Sequence, residues 1–111
     1  MNPARYEVAI SNAAERDLRR IAHYIADARS LDEALALVDK VTEKIDSLEQ
    51  FPERGAVPKE IRELGIGEYR QALIQPYRIF YWIEGRTVTI VMIADGRRDI
   101  ESLLQERMIG K

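Results

Sequence analysis

Five arginines, Arg70, Arg78, Arg86, Arg97 and Arg98, fall between residues 69 and 98, where the only acids are Glu84 and Asp95. A guanidinium is a planar, permanently charged fork that grips a carboxylate or phosphate through paired hydrogen bonds and stacks on aromatic rings. It can steady a crowded phosphate or an acidic partner, but with a pKa above about 12 it is a poor proton acceptor. The other groups that reaction chemistry needs are scarce. The single histidine, His23, lies far upstream in a helical pattern, off its apolar stripe, and reads as a solvated residue. There is no cysteine, hence no thiolate nucleophile, disulfide or thiolate metal site. Asp95 and Asp99 are separated by Arg97 and Arg98, so they read as members of ion pairs and not as a metal site. No glycine-rich phosphate loop, Ser-His-Asp order or His/Cys ligand spacing occurs. Nothing here predicts a small-molecule enzyme, a cofactor or a bound metal.

The elements that carry these arginines are legible from periodicity. Tyr69–Ile74, Tyr77–Ile83 and Thr87–Ala94 are runs of strand length rich in aromatic and β-branched residues, separated by Gln75-Pro76 and by Gly85. They predict an antiparallel meander. Upstream, Arg5–Ile10 alternates, with Tyr6, Val8 and Ile10 on one side, as a short half-buried strand does. Asn12 then stands as a helix cap with Glu15 three residues later, and Ala14, Leu18, Ile21, Ala22 and Ile25 recur at helical spacing to about Ala28. Ser30-Leu31-Asp32-Glu33 is a capping box, followed by the stripe Ala34, Leu37, Val38, Val41, Ile45 and Leu48 until Phe51-Pro52 stops it. Two helices joined so tightly must fold back as a hairpin. Pro52–Gly67 reads as a connector with room for one helical turn around Lys59–Leu64. The expected fold is α+β, β-α-α-β-β-β, with the meander packed on the helical hairpin and a short C-terminal helix over Asp99–Met108.

Length and charge set further bounds. At 111 residues one domain spanning 1–111 is expected, large enough to bury a core without staples. The net charge of −2 speaks against a surface that binds nucleic acid as a whole. The charge is uneven: residues 1–67 hold ten Lys/Arg against thirteen Asp/Glu, residues 69–98 five against two. The sheet is the basic part. No leader and no window approaching the roughly 18 apolar residues of a membrane span is present, which implies a cytoplasmic protein.

Alternation sorts the faces of the meander. With Glu84-Gly85 as the turn, Tyr81 lies opposite Val88 and Ile79 opposite Ile90, so Tyr77, Ile79, Tyr81, Ile83, Val88, Ile90 and Met92 face the helical hairpin. The other face presents Arg78, Phe80, Trp82, Thr87, Thr89, Val91 and Ile93. It is too apolar for a solvated surface, and only the terminal helix remains to cover it, so part of it is expected to await a partner.

In this order the residues resemble the ParE/RelE superfamily of toxins from type II toxin–antitoxin pairs, closer to its ParE branch. The likeness runs through Ala14-x-x-Asp17-Leu18-x-x-Ile21-x-x-Tyr24-Ile25, then Ile45-x-x-Leu48-x-x-Phe51-Pro52-x-x-Gly55. It continues through Tyr69-Arg70 and Tyr77-Arg78-Ile79-Phe80-Tyr81 to Gly96-Arg97-Arg98-Asp99-x-x-x-Leu103-Leu104. What the resemblance implies is a ParD-like antitoxin that wraps the toxin in a hetero-oligomer and a cellular target. For ParE-like members that target is DNA gyrase, and for RelE-like members it is messenger RNA cut in the ribosomal A site. Fold alone does not choose between them.

Cutting RNA through its 2′-hydroxyl needs a base, a cation for the phosphate and an acid for the leaving oxygen. By the resemblance Arg78 and Arg98 match the nuclease arginines, but the second basic residue falls at Ala72, the terminal-helix tyrosine near Leu104, and the histidine some members carry falls at Asp95. No catalytic residue is expected, and what the resemblance to the ParE branch then implies is a binder that inhibits gyrase and is neutralised by its antitoxin. A ribosome-dependent endoribonuclease and a non-toxic member that only binds its antitoxin are the alternatives. The expected contact residues for antitoxin or target are Arg70, Arg78, Phe80, Trp82, Arg97 and Arg98, with acids of an amphipathic or extended partner segment pairing Arg70, Arg97 and Arg98. The tail Gln105–Lys111 is a further candidate contact.

Overall fold

The computed structural model describes residues 5–63 and 69–109. In order it contains β1 (Glu7–Ile10), α1 (Asn12–Ala28), α2 (Leu31–Ser47), a 3-10 turn (Pro52–Arg54), α3 (Lys59–Glu63), β2 (Tyr69–Ile74), β3 (Tyr77–Glu84), β4 (Thr87–Asp95) and α4 (Ile100–Ile109). This is the expected α+β arrangement. The expectations touching Leu64, Gly65 and Gly67, the last two residues of the tail, and the packing of Met108 and Ile109 lie outside what is described.

Local chemistry sets the helix ends. The cap of α1 is Ser11, not Asn12: its hydroxyl accepts the Ala14 N–H at 3.1 Å. Ser11 is placed for this because its own N–H is held by the Ile90 carbonyl at the end of β1, so the chain leaves the sheet and enters the helix at that residue. Ser30 caps α2 by accepting from Glu33 N at 3.1 Å. Its own N–H goes back to Ile25 of α1, so the return half of the capping box is replaced by a bond that ties the two helices at their turn.

The sheet has the order β1-β4-β3-β2, with β1 parallel to β4 and the other pairs antiparallel. The β3–β4 turn is Gly85-Arg86, one residue later than expected, so Ile83 faces Val88 and Tyr81 faces Ile90. The reason is conformational. Gly85 takes φ +59° at the first central position of the two-residue loop, which an Glu84-Gly85 turn would have imposed on Glu84 instead. Moving the turn by one residue changes each pairing by two, so the facing side chains are preserved as far as Ile90.

Beyond Ile90 they are not. The register shifts, Phe80 pairing with Met92 and Ile79 with Ile93, which leaves Val91 as an extra residue on β4. This β-bulge turns Met92 away from the helical hairpin and Ile93 toward it, reversing the expected assignment of both. One core, around Ala14, Val41, Ile79, Tyr81, Ile90 and Ile93, fills the space under α1 and α2. The second, around Ile61, Phe80, Val91, Met92, Ile100 and Leu104, lies on the other side under α3 and α4. Phe80 has no exposed surface. The expectation that its face stays partly open fails there because the connector contributes Ile61, itself fully buried, alongside the terminal helix.

β1 pairs only with Thr87–Ile90 of β4, so among the described residues the bulged half of β4 has no strand on that side. Two side chains take the strand's place. Asp17 of α1, 7% exposed, accepts the Ile93 N–H at 3.0 Å. Arg107 of α4 donates to the Val91 carbonyl at 2.6 Å and to both carboxylate oxygens of Asp17 at 3.0 Å. A buried carboxylate is costly unless paired and hydrogen-bonded, and here it is both. Replacing Asp17 by alanine strands the Arg107 charge and the Ile93 N–H, so Asp17→Ala is expected to lower the unfolding free energy by roughly 3–5 kcal/mol, measured by urea denaturation at neutral pH.

Candidate functional site

The end of the sheet formed by the start of β3 and the end of β4 gathers three of the anticipated arginines. Arg78 pairs with Ala94 across the ladder, and its stem passes so close to Gly96 that a Cβ there would lie 3.0 Å from Arg78 Cδ. Arg97 and Arg98 follow in the same turn. Arg70 is not part of this group: on β2 it reaches the opposite way, donating to the Gly55 carbonyl at 2.8 Å. It helps hold a loop that also receives the Tyr81 hydroxyl at the Pro52 carbonyl. Gly55 is packed against that hydroxyl so closely that any Cβ would collide with it. Trp82 sits four residues along β3 from Arg78, about 13 Å at strand rise. It is half-buried against the second core and edge-on to Tyr69, with centroids 4.8 Å apart.

All three nitrogens of the Arg78 guanidinium are engaged. Its two terminal nitrogens each donate to one oxygen of Glu60 at 2.9 Å, and Nε donates to Gln71 Oε1 at 2.6 Å. The group also lies 4.9 Å from the Phe80 ring centroid. Both partners are largely covered, 15% and 18% exposed. The fork-on-fork geometry is the strongest an Arg–carboxylate pair can adopt, and it pulls the Glu60 pKa below its ordinary value of 4.5, with burial opposing. Glu60 and Gln71 went unread in the sequence. Glu60 stands in the segment taken for a connector, 18 residues from its partner, and no local spacing announces such a contact.

Arg97 is spent on its neighbour. Its N–H, Nε and Nη2 all donate to the Asp95 carboxylate, at 2.9, 3.0 and 2.6 Å, and this holds the Asp95 pKa down to about 2. Asp95 is thus ionised, and it offers no proton to a leaving group at neutral pH. Tyr77, which pairs with Asp95, is shifted the other way: burial first, then the Asp95 charge, raise its phenol pKa. Asp99 caps α4, accepting from Ser102 N at 3.2 Å and Ser102 Oγ at 2.8 Å, which lowers its own pKa. Arg98 is exposed, and its side chain has no hydrogen bond or ion pair among the described residues. His23 is exposed on α1. Among the described residues no three His, Asp or Glu side chains converge as a metal site, and no helix is long and apolar enough to cross a membrane. The arrangement can bind an acidic or phosphate group at Arg98, and the carboxylates nearest it in the chain, Asp95 and Asp99, are engaged by Arg97 and Ser102.

Sequence and fold together assign the chain to the toxins of the ParE/RelE superfamily. The sequence matches the family described as the ParE toxin of the type II toxin–antitoxin system, parDE, over residues 8–100, and the chain belongs to that family. No curated protein sequence matches closely enough to count as a relative. The fold is similar to that in the chromosomal ParDE toxin–antitoxin system from P. aeruginosa, with TM-score 0.69 and 18% identity over 83% of this chain and 97% of that one. It is similar also to that in the toxin–antitoxin complex RelBE2 from Mycobacterium tuberculosis, with TM-score 0.54 and 22% identity over 82% and 98%. A mutant of the E. coli toxin RelE in the free state gives TM-score 0.61 and 10% identity over 95% and 96%. At these identities the likeness is one of fold.

The Arg78–Glu60 clasp makes a pH-dependent prediction. Because the folded pKa of Glu60 lies below the unfolded 4.5, its contribution is present above pH 4.5 and is lost as pH falls through the folded value. Glu60→Gln is expected to be less stable than the parent by about 1–2 kcal/mol at pH 7, with the gap closing below pH 4.5, followed by denaturation at a series of pH values.

Proposed function

We propose that this protein is a ParE-like toxin that acts in the cytoplasm by binding DNA gyrase, without cutting RNA, and that a ParD-like antitoxin neutralises it. The observation that carries the reading is the state of Arg78. A phosphate-stabilising arginine must present its donors to the substrate, whereas here Glu60 and Gln71 occupy three of them inside a mostly covered clasp. Asp95, where some superfamily members carry a histidine, is ionised and tied to Arg97. The ParE family match supports the same branch. The antitoxin is supported by the match to a toxin–antitoxin family and by the likeness to chains solved within ParDE and RelBE2 systems.

On this reading Arg97 and Arg98 are recognition residues at the rim of the sheet, Arg98 contributing a free charge and Arg97 one already half-neutralised by Asp95. Arg70 and Arg78 act by holding the fold that presents them. Added to purified gyrase, the protein is expected to abolish supercoiling and trap cleaved DNA, and the product of the adjacent gene is expected to reverse both effects. Unaffected gyrase at large excess, together with messenger RNA cleaved in the ribosomal A site, would replace this reading with that of an endoribonuclease.

A further inference from the structure

The two helices of the hairpin expose opposite charge. Asp17 apart, which is buried against Arg107, α1 exposes Arg16, Arg19, Arg20 and His23 against Glu15 and Asp27. The exposed charges of α2 are mainly acids, Asp32, Glu33, Asp39, Glu43 and Asp46 against Lys40. On α1, Glu15 is taken by Arg19 at 3.1 Å. Arg16 and Arg20 lie about 6 Å apart along the helix axis, and neither side chain has a hydrogen bond or ion pair among the described residues.

Both arginines face outward because Ala14, Leu18 and Ile21 hold the other side of α1 against the core. Tyr24 follows four residues after Arg20 on the same flank, 72% exposed and the one large apolar side chain that α1 leaves open. Its phenol interacts electrostatically with Arg97 and with Tyr77, so the end of α1 meets the turn after β4. Arg16, Arg20, Tyr24 and Arg97 thus form one ridge. The centre of a protein–protein interface is apolar and depleted of charged residues. Here two free guanidinium groups hold the centre and the aromatic ring lies to one side, which suits a polyanion.

We infer that the Arg16–Arg20 face of α1 is a contact for the phosphate backbone of duplex DNA, made while gyrase holds that DNA cleaved. The inference rests on the reading of the chain as a gyrase poison. Guanidinium groups one helical turn apart on a packed helix meet phosphates of the backbone without reading sequence. The acids of α2 repel the same polyanion, and this fixes which side of the hairpin turns toward it. With a net charge of −2 the free chain is not drawn to DNA as a whole, so the contact counts where gyrase already presents the duplex.

The test uses the full chain, purified gyrase and a linear duplex, with trapped cleaved DNA measured over a series of salt concentrations. The exposed double substitution Arg16→Gln/Arg20→Gln, its folding checked by circular dichroism, is expected to raise the concentration for half-maximal trapping about tenfold or more. It is also expected to reduce the slope of log affinity against log salt by about two, while binding to gyrase without DNA stays at the parent value. Lys40→Gln, which removes an exposed cation from α2, is expected to change none of these. A folded double variant that traps DNA at the parent concentration with the parent salt slope would overturn the DNA contact and leave the gyrase reading standing. Equal weakening toward gyrase without DNA would also overturn it, since the face would then meet protein. A parent chain that traps no DNA with gyrase would overturn both.

Discussion

The ion pair of buried Asp17 with half-buried Arg107 is the contact on which the rest of the structure leans. β4 carries an extra residue at Val91, and beyond Ile90 it has no neighbouring strand on the β1 side among the described residues. A central strand with unpaired peptide groups would lose more than a hydrogen bond for each one kept from water. Asp17 takes the free N–H of Ile93 and Arg107 the free carbonyl of Val91, and their mutual ion pair joins the helices on the two faces of the sheet across it. The bulge in turn sets the composition of both cores, sending Ile93 to α1 and α2 and Met92 to α4.

The same division of labour runs through the arginines. Those with covered side chains are partnered and structural: Arg107 with Asp17, Arg78 with Glu60 and Gln71, Arg70 with the Gly55 carbonyl. The exposed ones at the end of the sheet, Arg97 and Arg98, keep their side chains open to solvent. A guanidinium clasped by a carboxylate is a fixed part of the framework, and withdrawing one partner from such a pair leaves the other charge stranded. This is why a chain whose sequence concentrates positive charge on the sheet leaves only part of that charge on its surface.

Much of this was legible beforehand because it depends on period and turn chemistry. The alternation of Arg5–Ile10, the stripe from Ala34 to Leu48 and the three strand-length runs each found their element. What depends on contacts distant in sequence was not. Nothing near Val91 announces an extra residue, so Met92 and Ile93 were placed on the wrong faces. Glu60 meets Arg78 only because α3 folds over the sheet. Asp17 did leave a sign: an acid beside Leu18, three residues after Ala14 on the buried stripe of α1, is out of place unless something pairs with it. The turn at Gly85 left one too, since the residue that must take positive φ is the glycine itself.

The central claim is that Arg78 belongs to the framework and not to a reaction. Replacing both partners of the clasp by apolar residues of similar length, Arg78→Met with Glu60→Leu, removes the cation without stranding a charge. The measurement is inhibition of gyrase supercoiling by this double variant, with its folding checked by circular dichroism. The account predicts inhibition close to that of the parent chain. A folded double variant that leaves gyrase untouched, while the parent inhibits it, would contradict the account.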